Sequence, residues 1–144
     1  MVMNFNQLKF RLKEFFSKDK DVLFVYLYGS QSKGTGYLES DIDLAVYLRP
    51  GNNEFYLRKD EQFLGELAQI NKRIDVRLVN VMPLLLKYEV ISQGEIIFSR
   101  DEKARVNFET QTLCRYFEMK PFFDEEHRLA MKKIKASVFR DKIK

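Results

Sequence analysis

Two aspartates and a glycine–serine pair are the residues of this chain whose types and spacing could do chemistry. Asp41 and Asp43 are separated by a single residue, and Gly29-Ser30 precedes them in the sequence. Like-charged carboxylates that lie close together repel each other unless a cation binds between them. Mg²⁺ prefers such hard oxygen ligands, usually together with substrate phosphates, and backbone N–H groups at a tight turn can hold those phosphates. The pattern therefore predicts a site for a metal and a nucleotide.

Apolar segments on either side of these residues predict two neighbouring strands that position them. The run Val22–Tyr28 is apolar and aromatic throughout, which is typical of a strand buried on both faces. Over 41–48, side-chain alternation places Asp41 and Asp43 on one face, with the intervening residues facing the core. Glycine at position 29 lets the chain turn sharply or approach a ligand closely. The alternative is a polar hairpin whose aspartates merely cap a strand.

The remaining periodicity predicts an alternation of helices and strands. We expect helices over 4–18, 53–70 and 82–92, and strands over 73–80 and 95–99. On strand 73–80, Asp75 and Arg77 lie on the face opposite the apolar residues. The order of elements predicts an α+β fold, with a small mixed β-sheet, helices on one face and a C-terminal helical pair beside it.

The C-terminal helical pair is predicted from two local signals. Ser99 to Glu102 matches a capping box, so a helix is expected to begin there and to run to about residue 119. Pro121 ends or kinks that helix, and a last helix covers about 122–138. Cys114 is interpreted as core filler, while the nearby aromatic residues are either core or part of a base or protein interface.

Length and composition limit the class of protein. The chain has 144 residues, 45% of them hydrophobic, and a net charge of +4. We expect a single domain over 1–144, with a catalytic α/β core over 1–99 and C-terminal helices over 100–144. A single cysteine, no long apolar segment and no signal-peptide pattern favour a cytoplasmic protein without membrane contact. The mild positive charge fits an anionic substrate, and direct nucleic-acid binding is not expected.

The segment G-S-Q-S-K-G-T-G-Y-L-E-S-D-I-D-L-A-V at 29–46 resembles a known family signature. It is similar to the minimal nucleotidyltransferases of the DNA polymerase β-like nucleotidyltransferase superfamily. These small proteins are paired with HEPN-domain ribonuclease toxins in bacterial toxin–antitoxin systems. The resemblance covers most of the chain, but its specific motif is confined to 29–44 and Asp75. The segment R-Y-F-E-M-K-P at 115–121 is a weaker point of similarity.

The resemblance implies the nucleotidyltransferase fold, ATP as substrate and two Mg²⁺ ions bound by three carboxylates. Asp41 and Asp43 would hold the metal that carries the triphosphate, and Asp75 would join them around the second metal. The alternative for Asp75 is an ion pair with Arg73 or Arg77 on the surface of the sheet.

The resemblance also implies nucleotide-binding residues and a reaction. Gly29 and Ser30 would grip the β- and γ-phosphates, and Lys33 would add a cation unless it is simply solvated. The implied reaction transfers AMP from ATP to a hydroxyl of a partner protein, a HEPN-type toxin that is thereby neutralised. The alternatives are an antitoxin that acts mainly by non-covalent complex formation and a small-molecule nucleotidyltransferase of the antibiotic-modifying kind.

Overall fold

The computed structural model describes residues 4–29 and 41–143, which form one mixed sheet and its helices. The strands are β1 (Val22–Tyr28), β2 (Ile42–Leu48), β3 (Ile74–Leu78) and β4 (Glu95–Ser99); the α-helices are α1 (Phe5–Ser17), α2 (Asn53–Leu67), α3 (Leu84–Gln93) and α4 (Glu102–Ile143). A 3₁₀ turn, Val79–Val81, links β3 to α3. The predicted α+β architecture with a small mixed sheet is confirmed. Within the described ranges, no helix is both long and apolar enough to span a membrane.

The sheet has the strand order β3-β2-β1-β4. β1 is antiparallel to both of its neighbours, whereas β2 and β3 are parallel. A parallel pair needs a long crossover connection, which α2 supplies here. The strand order makes β1 and β2 the interior strands, which agrees with the continuous apolar sequence of β1.

Helices cover both faces of the sheet. α1 and α2 pack on one face, around Leu27 and Leu44 among others, as the sequence predicted. On the other face, Val90 of α3 and Phe108 of α4 join Phe24 and Tyr26 of β1 in a second core. The prediction of helices on one face is thus incomplete, because β1 is apolar on both sides and needs a cover on each.

The predicted C-terminal pair of helices is a single helix. Pro121 lies inside α4 rather than between two helices. Proline at an interior position removes the N–H that would bond to the carbonyl four residues earlier, at a cost of about 3 kcal/mol. Phe117 and Phe122 are exposed, so water can reach the carbonyl that loses its partner. The helix continues because a solvated gap in its hydrogen bonding is less costly than a buried one.

Two local predictions for α4, its capping residue and the burial of Cys114, are wrong. Asp101, not Ser99, caps the helix, since its carboxylate accepts a hydrogen bond from the Ala104 N–H at 3.0 Å. Ser99 instead pairs with Phe24 in the sheet as the last residue of β4. Cys114 is exposed and does not fill the core.

A buried lysine ties α2 to the loop between α1 and β1. Lys59 is only 6% exposed, and its ammonium lies 2.5 Å from Asp19 Oδ2 and 3.4 Å from Asp21 Oδ2. Arg49, just after β2, also contacts Asp21. The hydrogen bond from Arg49, with support from Lys59, holds the pKa of Asp21 below its usual value. The charges thus satisfy each other where three elements meet.

We predict that Lys59→Ala destabilises the protein far more than Lys9→Ala. Removing Lys59 leaves two carboxylates without their buried partner, which costs roughly 3–5 kcal/mol. Lys9 pairs with Glu95 in a more exposed setting, so its loss costs about 1 kcal/mol or less. Urea denaturation of the parent and both variants gives the loss in free energy of unfolding for each variant. Equal losses would show that the Lys59 network adds nothing beyond an ordinary surface ion pair.

Candidate functional site

The strand register places Asp43 between Tyr28 and Asp75. Tyr28 of β1 pairs with Asp43 across the antiparallel contact, and Asp43 pairs with Asp75 across the parallel one. Paired residues on neighbouring strands point to the same face, about 5 Å apart along the sheet. The two predicted carboxylates from β2 and β3 are therefore direct neighbours. Asp41 lies immediately before β2 and is exposed.

Gly29 brings the backbone close to the Asp43 carboxylate. Its φ is +80°, a conformation that favours glycine. A Cβ atom added at Gly29 would lie 2.7 Å from Asp43 Oδ2, so the carboxylate would have to move to admit any side chain. Backbone conformation and close approach to Asp43 therefore both favour glycine here. The predicted nucleotide-binding residues Ser30 and Lys33 lie outside the described residues.

Neighbouring negative charge perturbs Asp43. Burial raises the pKa of its carboxyl, and the charges of Asp75 and Asp41 raise it further, while Arg77 partly opposes them. Burial also raises the pKa of the Tyr28 phenol, with Asp43 as the next contributor. The protein thus holds Asp43 where its negative charge is disfavoured, which is the condition that cation binding relieves.

Asp75 is less constrained than Asp43. Its Oδ2 lies 3.6 Å from Arg77 Nε, and both side chains are more than half exposed. The ion pair that was the alternative interpretation of Asp75 is therefore present, although an exposed pair at this distance is weak. It leaves Asp75 free to exchange Arg77 for another cation at little cost.

The carboxylate oxygens of the aspartates are suitable ligands for a divalent metal, but they are not already arranged around one position. Carboxylate oxygens suit Mg²⁺, and burial together with the charges of Asp75 and Asp41 raises the pKa of Asp43, a penalty on its negative charge that a bound cation would lower. Among residues 4–29 and 41–143, no three His, Cys, Asp or Glu side chains are grouped closely enough to hold a metal ion. Bringing the three aspartates around one ion therefore requires side-chain movement.

Glu89 is the residue near this site that the sequence did not reveal. Its charge contributes to raising the pKa of both Asp43 and Tyr28, so it adds to the negative potential at this site. Glu89 lies on α3, which packs against the face that carries Asp43. A single acidic residue in a helix has no local signature, and only the packing of α3 places it here.

The mixed sheet, the turn at Gly29 and the carboxylates on adjacent strands have the arrangement that the sequence predicted for a nucleotidyltransferase. The family model for the polymerase beta nucleotidyltransferases matches residues 11–103, which is more than half of the chain. The chain belongs to this family. A comparison with curated proteins finds no match.

Solved structures confirm the fold. A chain of a toxin–antitoxin crystal structure with AMP-PNP is 19% identical, with a TM-score of 0.63; the match covers 83% of this chain and 98% of that one. A chain from the tri-AMPylated Shewanella oneidensis HEPN toxin in complex with its MNT antitoxin is 16% identical, with a TM-score of 0.60 and 85% and 98% coverage. Likeness at this level of identity establishes the shared fold.

We predict that Asp43→Asn and Asp21→Asn shift stability in opposite directions. The folded-state pKa of Asp43 is raised, so its charge destabilises the fold at neutral pH, and the asparagine variant is more stable there. The folded-state pKa of Asp21 is lowered, so its charge stabilises the fold and its loss is destabilising.

The stability difference between each asparagine variant and the parent should become smaller as the pH falls. The penalty at Asp43 vanishes below its unfolded-state pKa of about 3.9, whereas the benefit of Asp21 is lost as pH falls through its lower folded-state pKa. Denaturation at pH 7.5 and at successively lower pH measures both changes. A destabilised Asp43→Asn variant at neutral pH would contradict the charge repulsion described for this site.

Proposed function

We propose that this chain transfers AMP from ATP to a hydroxyl of a partner protein, and that the partner is a HEPN-type toxin which the transfer neutralises. The observation that carries this proposal is the placement of Asp43 beside Asp75, with the Gly29 backbone against the Asp43 carboxylate. The proposed organisation is a catalytic core over 1–99 followed by helices over 100–144, acting in the cytoplasm.

The proposed chemistry assigns a role to each residue type. Gly29, Ser30 and Lys33 bind the β- and γ-phosphates of ATP, through backbone N–H groups and a positive charge. Asp41, Asp43 and Asp75 would hold two Mg²⁺ ions, which when bound neutralise the triphosphate and lower the pKa of the acceptor hydroxyl.

The bond changes in this proposal are those of a phosphoryl substitution. The acceptor oxygen forms a bond to the α-phosphorus of ATP, and the bond from that phosphorus to the bridging oxygen breaks. Pyrophosphate leaves with the electron pair, and the hydroxyl proton is released to water. The protein contributes mainly by fixing the two reactants in line and by stabilising charge.

The similar structures support the choice of nucleotide and partner. One contains AMP-PNP, an ATP analogue, in a toxin–antitoxin complex. Another contains a HEPN toxin that carries AMP groups and is bound to an MNT antitoxin. These properties belong to those proteins, and they favour ATP over other nucleotides and a HEPN protein over a small molecule for this chain.

A second candidate function is an antitoxin that neutralises its partner mainly by forming a non-covalent complex. The second half of α4 favours it, since that segment carries large apolar side chains that remain exposed, among them Phe122, Leu129, Ile134 and Phe139. Exposed apolar surface of this kind marks interaction sites. The two candidates differ in whether covalent AMP is found on the partner.

We predict that ATP stabilises the protein strongly only when Mg²⁺ is present. The aspartates and the triphosphate are all negative, so they bind together only through a shared cation. At ATP concentrations about 100 times the dissociation constant, the stabilisation should reach roughly 2.7 kcal/mol. Thermal unfolding with ATP, with and without excess chelator, measures it. An equal rise in melting temperature in chelator would contradict the proposed metal-dependent site.

We predict that Asp75→Asn retains ATP–Mg²⁺ binding but transfers AMP about 10²–10³ times more slowly. The reason is that Asp41 and Asp43 would bind the metal that carries the triphosphate, while Asp75 is needed mainly for the metal that activates the acceptor hydroxyl. Calorimetry gives the nucleotide affinity, and mass spectrometry of the partner in a single-turnover assay gives the rate.

Glu61→Gln is the control for Asp75→Asn, because Glu61 is an exposed acid on α2 outside the carboxylate group. It should leave both affinity and rate unchanged. A loss of affinity in Asp75→Asn equal to its loss of rate would assign Asp75 to nucleotide binding instead. An unchanged rate would remove Asp75 from the site.

A further inference from the structure

The outer edge of β3 has backbone groups available for pairing. Within the described residues, β3 pairs with β2 alone. The Ile42 N–H donates to the Arg73 carbonyl at 2.9 Å. This hydrogen bond fixes which residues of β3 direct their backbone N–H and C=O groups towards β2. The backbone groups of Asp75 therefore face β2, and those of Val76 face outward. Such an edge is a template for another extended chain.

A groove of about 580 Å³ runs along this edge. Four consecutive residues of β3, from Asp75 to Leu78, line it. Leu57 of α2 and Val81 of the 3₁₀ turn form apolar walls, and they are 61% and 59% exposed. The groove therefore offers backbone partners along its floor, apolar contacts at its sides and a candidate catalytic carboxylate within the same space.

The charges in the groove indicate what it would accept. Asp75 has Arg77 as a neighbour, whereas Asp60 has no ion pair among the described side chains. Asp60 lines the same groove as Asp75 and is followed in sequence by Glu61, so negative charges lie near one another here. A basic side chain beside Asp60 would relieve this repulsion.

We propose that the β3 edge binds an extended segment of the acceptor protein, which adds to the sheet as a further strand. Side chains of an added strand alternate, so one residue points to the face of Asp75 while its neighbour points towards α2. The first of these carries the acceptor hydroxyl, and the second is basic and lies beside Asp60. This inference rests on the proposed function and specifies how that acceptor is held.

The test compares Leu57→Ala with Leu64→Ala. Both leucines lie on α2 and are similarly exposed, at 61% and 67%, but only Leu57 lines the groove. The probe is the purified HEPN-type toxin that the proposed function assigns as partner, with affinity measured by calorimetry and AMP transfer by mass spectrometry. Leu57→Ala should weaken binding at least fivefold and raise KM for the partner with kcat unchanged. Leu64→Ala should match the parent.

Charge reversal provides a second matched pair. Asp60→Lys should weaken partner binding, whereas Glu61→Lys, on the adjacent residue outside the groove, should have a much smaller effect. Hydrogen exchange gives a direct measure of strand addition, because the outward-facing amide of Val76 should become protected when the partner binds.

The outcomes separate this inference from the proposed function. Equal affinities for the two leucine variants, with an unprotected Val76 amide, would overturn the edge as a docking site even if AMP transfer occurs. Absence of any AMP transfer by the parent would overturn the proposed reaction. In that case, Leu57-dependent binding and Val76 protection would still identify the edge as the place where the partner segment docks.

Discussion

The strand register around Asp43 is the constraint on which the rest of the site depends. Asp43 lies between Ile42 and Leu44, which are both fully buried in the core under α1 and α2. Each such side chain contributes about 1.5–3 kcal/mol through burial. A slip of one residue would remove both side chains from this core and place the carboxylate in it, so a change of register cannot separate Asp43 from Asp75. The apolar core thus offsets the repulsion between the acids and holds them together.

The same constraint gives the glycine turn its role. Because β1 is antiparallel to β2, the end of β1 at Tyr28 lies opposite Asp43. The next residue then turns in contact with the carboxylate, and glycine fits this position best because its φ is positive and it has no Cβ near Asp43. An anionic ligand would thus meet a carboxylate pair and a close backbone in one place, a combination that requires a cation to bridge them.

Local patterns in the sequence predicted much of this arrangement. The bounds of β1 and β4 match the predicted strands, because a run of apolar residues between turn signals is a local property. The spacing of Gly29, Asp41 and Asp43 likewise needs only neighbouring strands. The pairing of Asp43 with Asp75 depends on the crossover through α2, and from sequence it was implied only by family resemblance. Glu89 had no signal of either kind.

The errors arose where tertiary contacts outweigh local preference. Ser99 matches a capping residue, yet pairing with Phe24 retains it in β4, and Asp101 takes over the cap. Pro121 is a local stop signal, but the helix continues through it because that part of α4 is exposed to water. A short pattern identifies what a residue favours alone, whereas the neighbouring strand or solvent determines the outcome.

The open edge of β3 and the exposed half of α4 belong to different parts of the molecule. β3 contacts β2 and α2, whereas α4 contacts α3 and β1. If the proposed function holds, a partner already bound along α4 would dock its acceptor segment at the β3 edge within the same complex. Effective concentrations for such tethered segments reach the millimolar range, so the edge itself needs only weak affinity. Weak affinity at the edge also lets the modified segment leave while the complex persists, so the two candidate functions, modification and complex formation, are compatible in one protein.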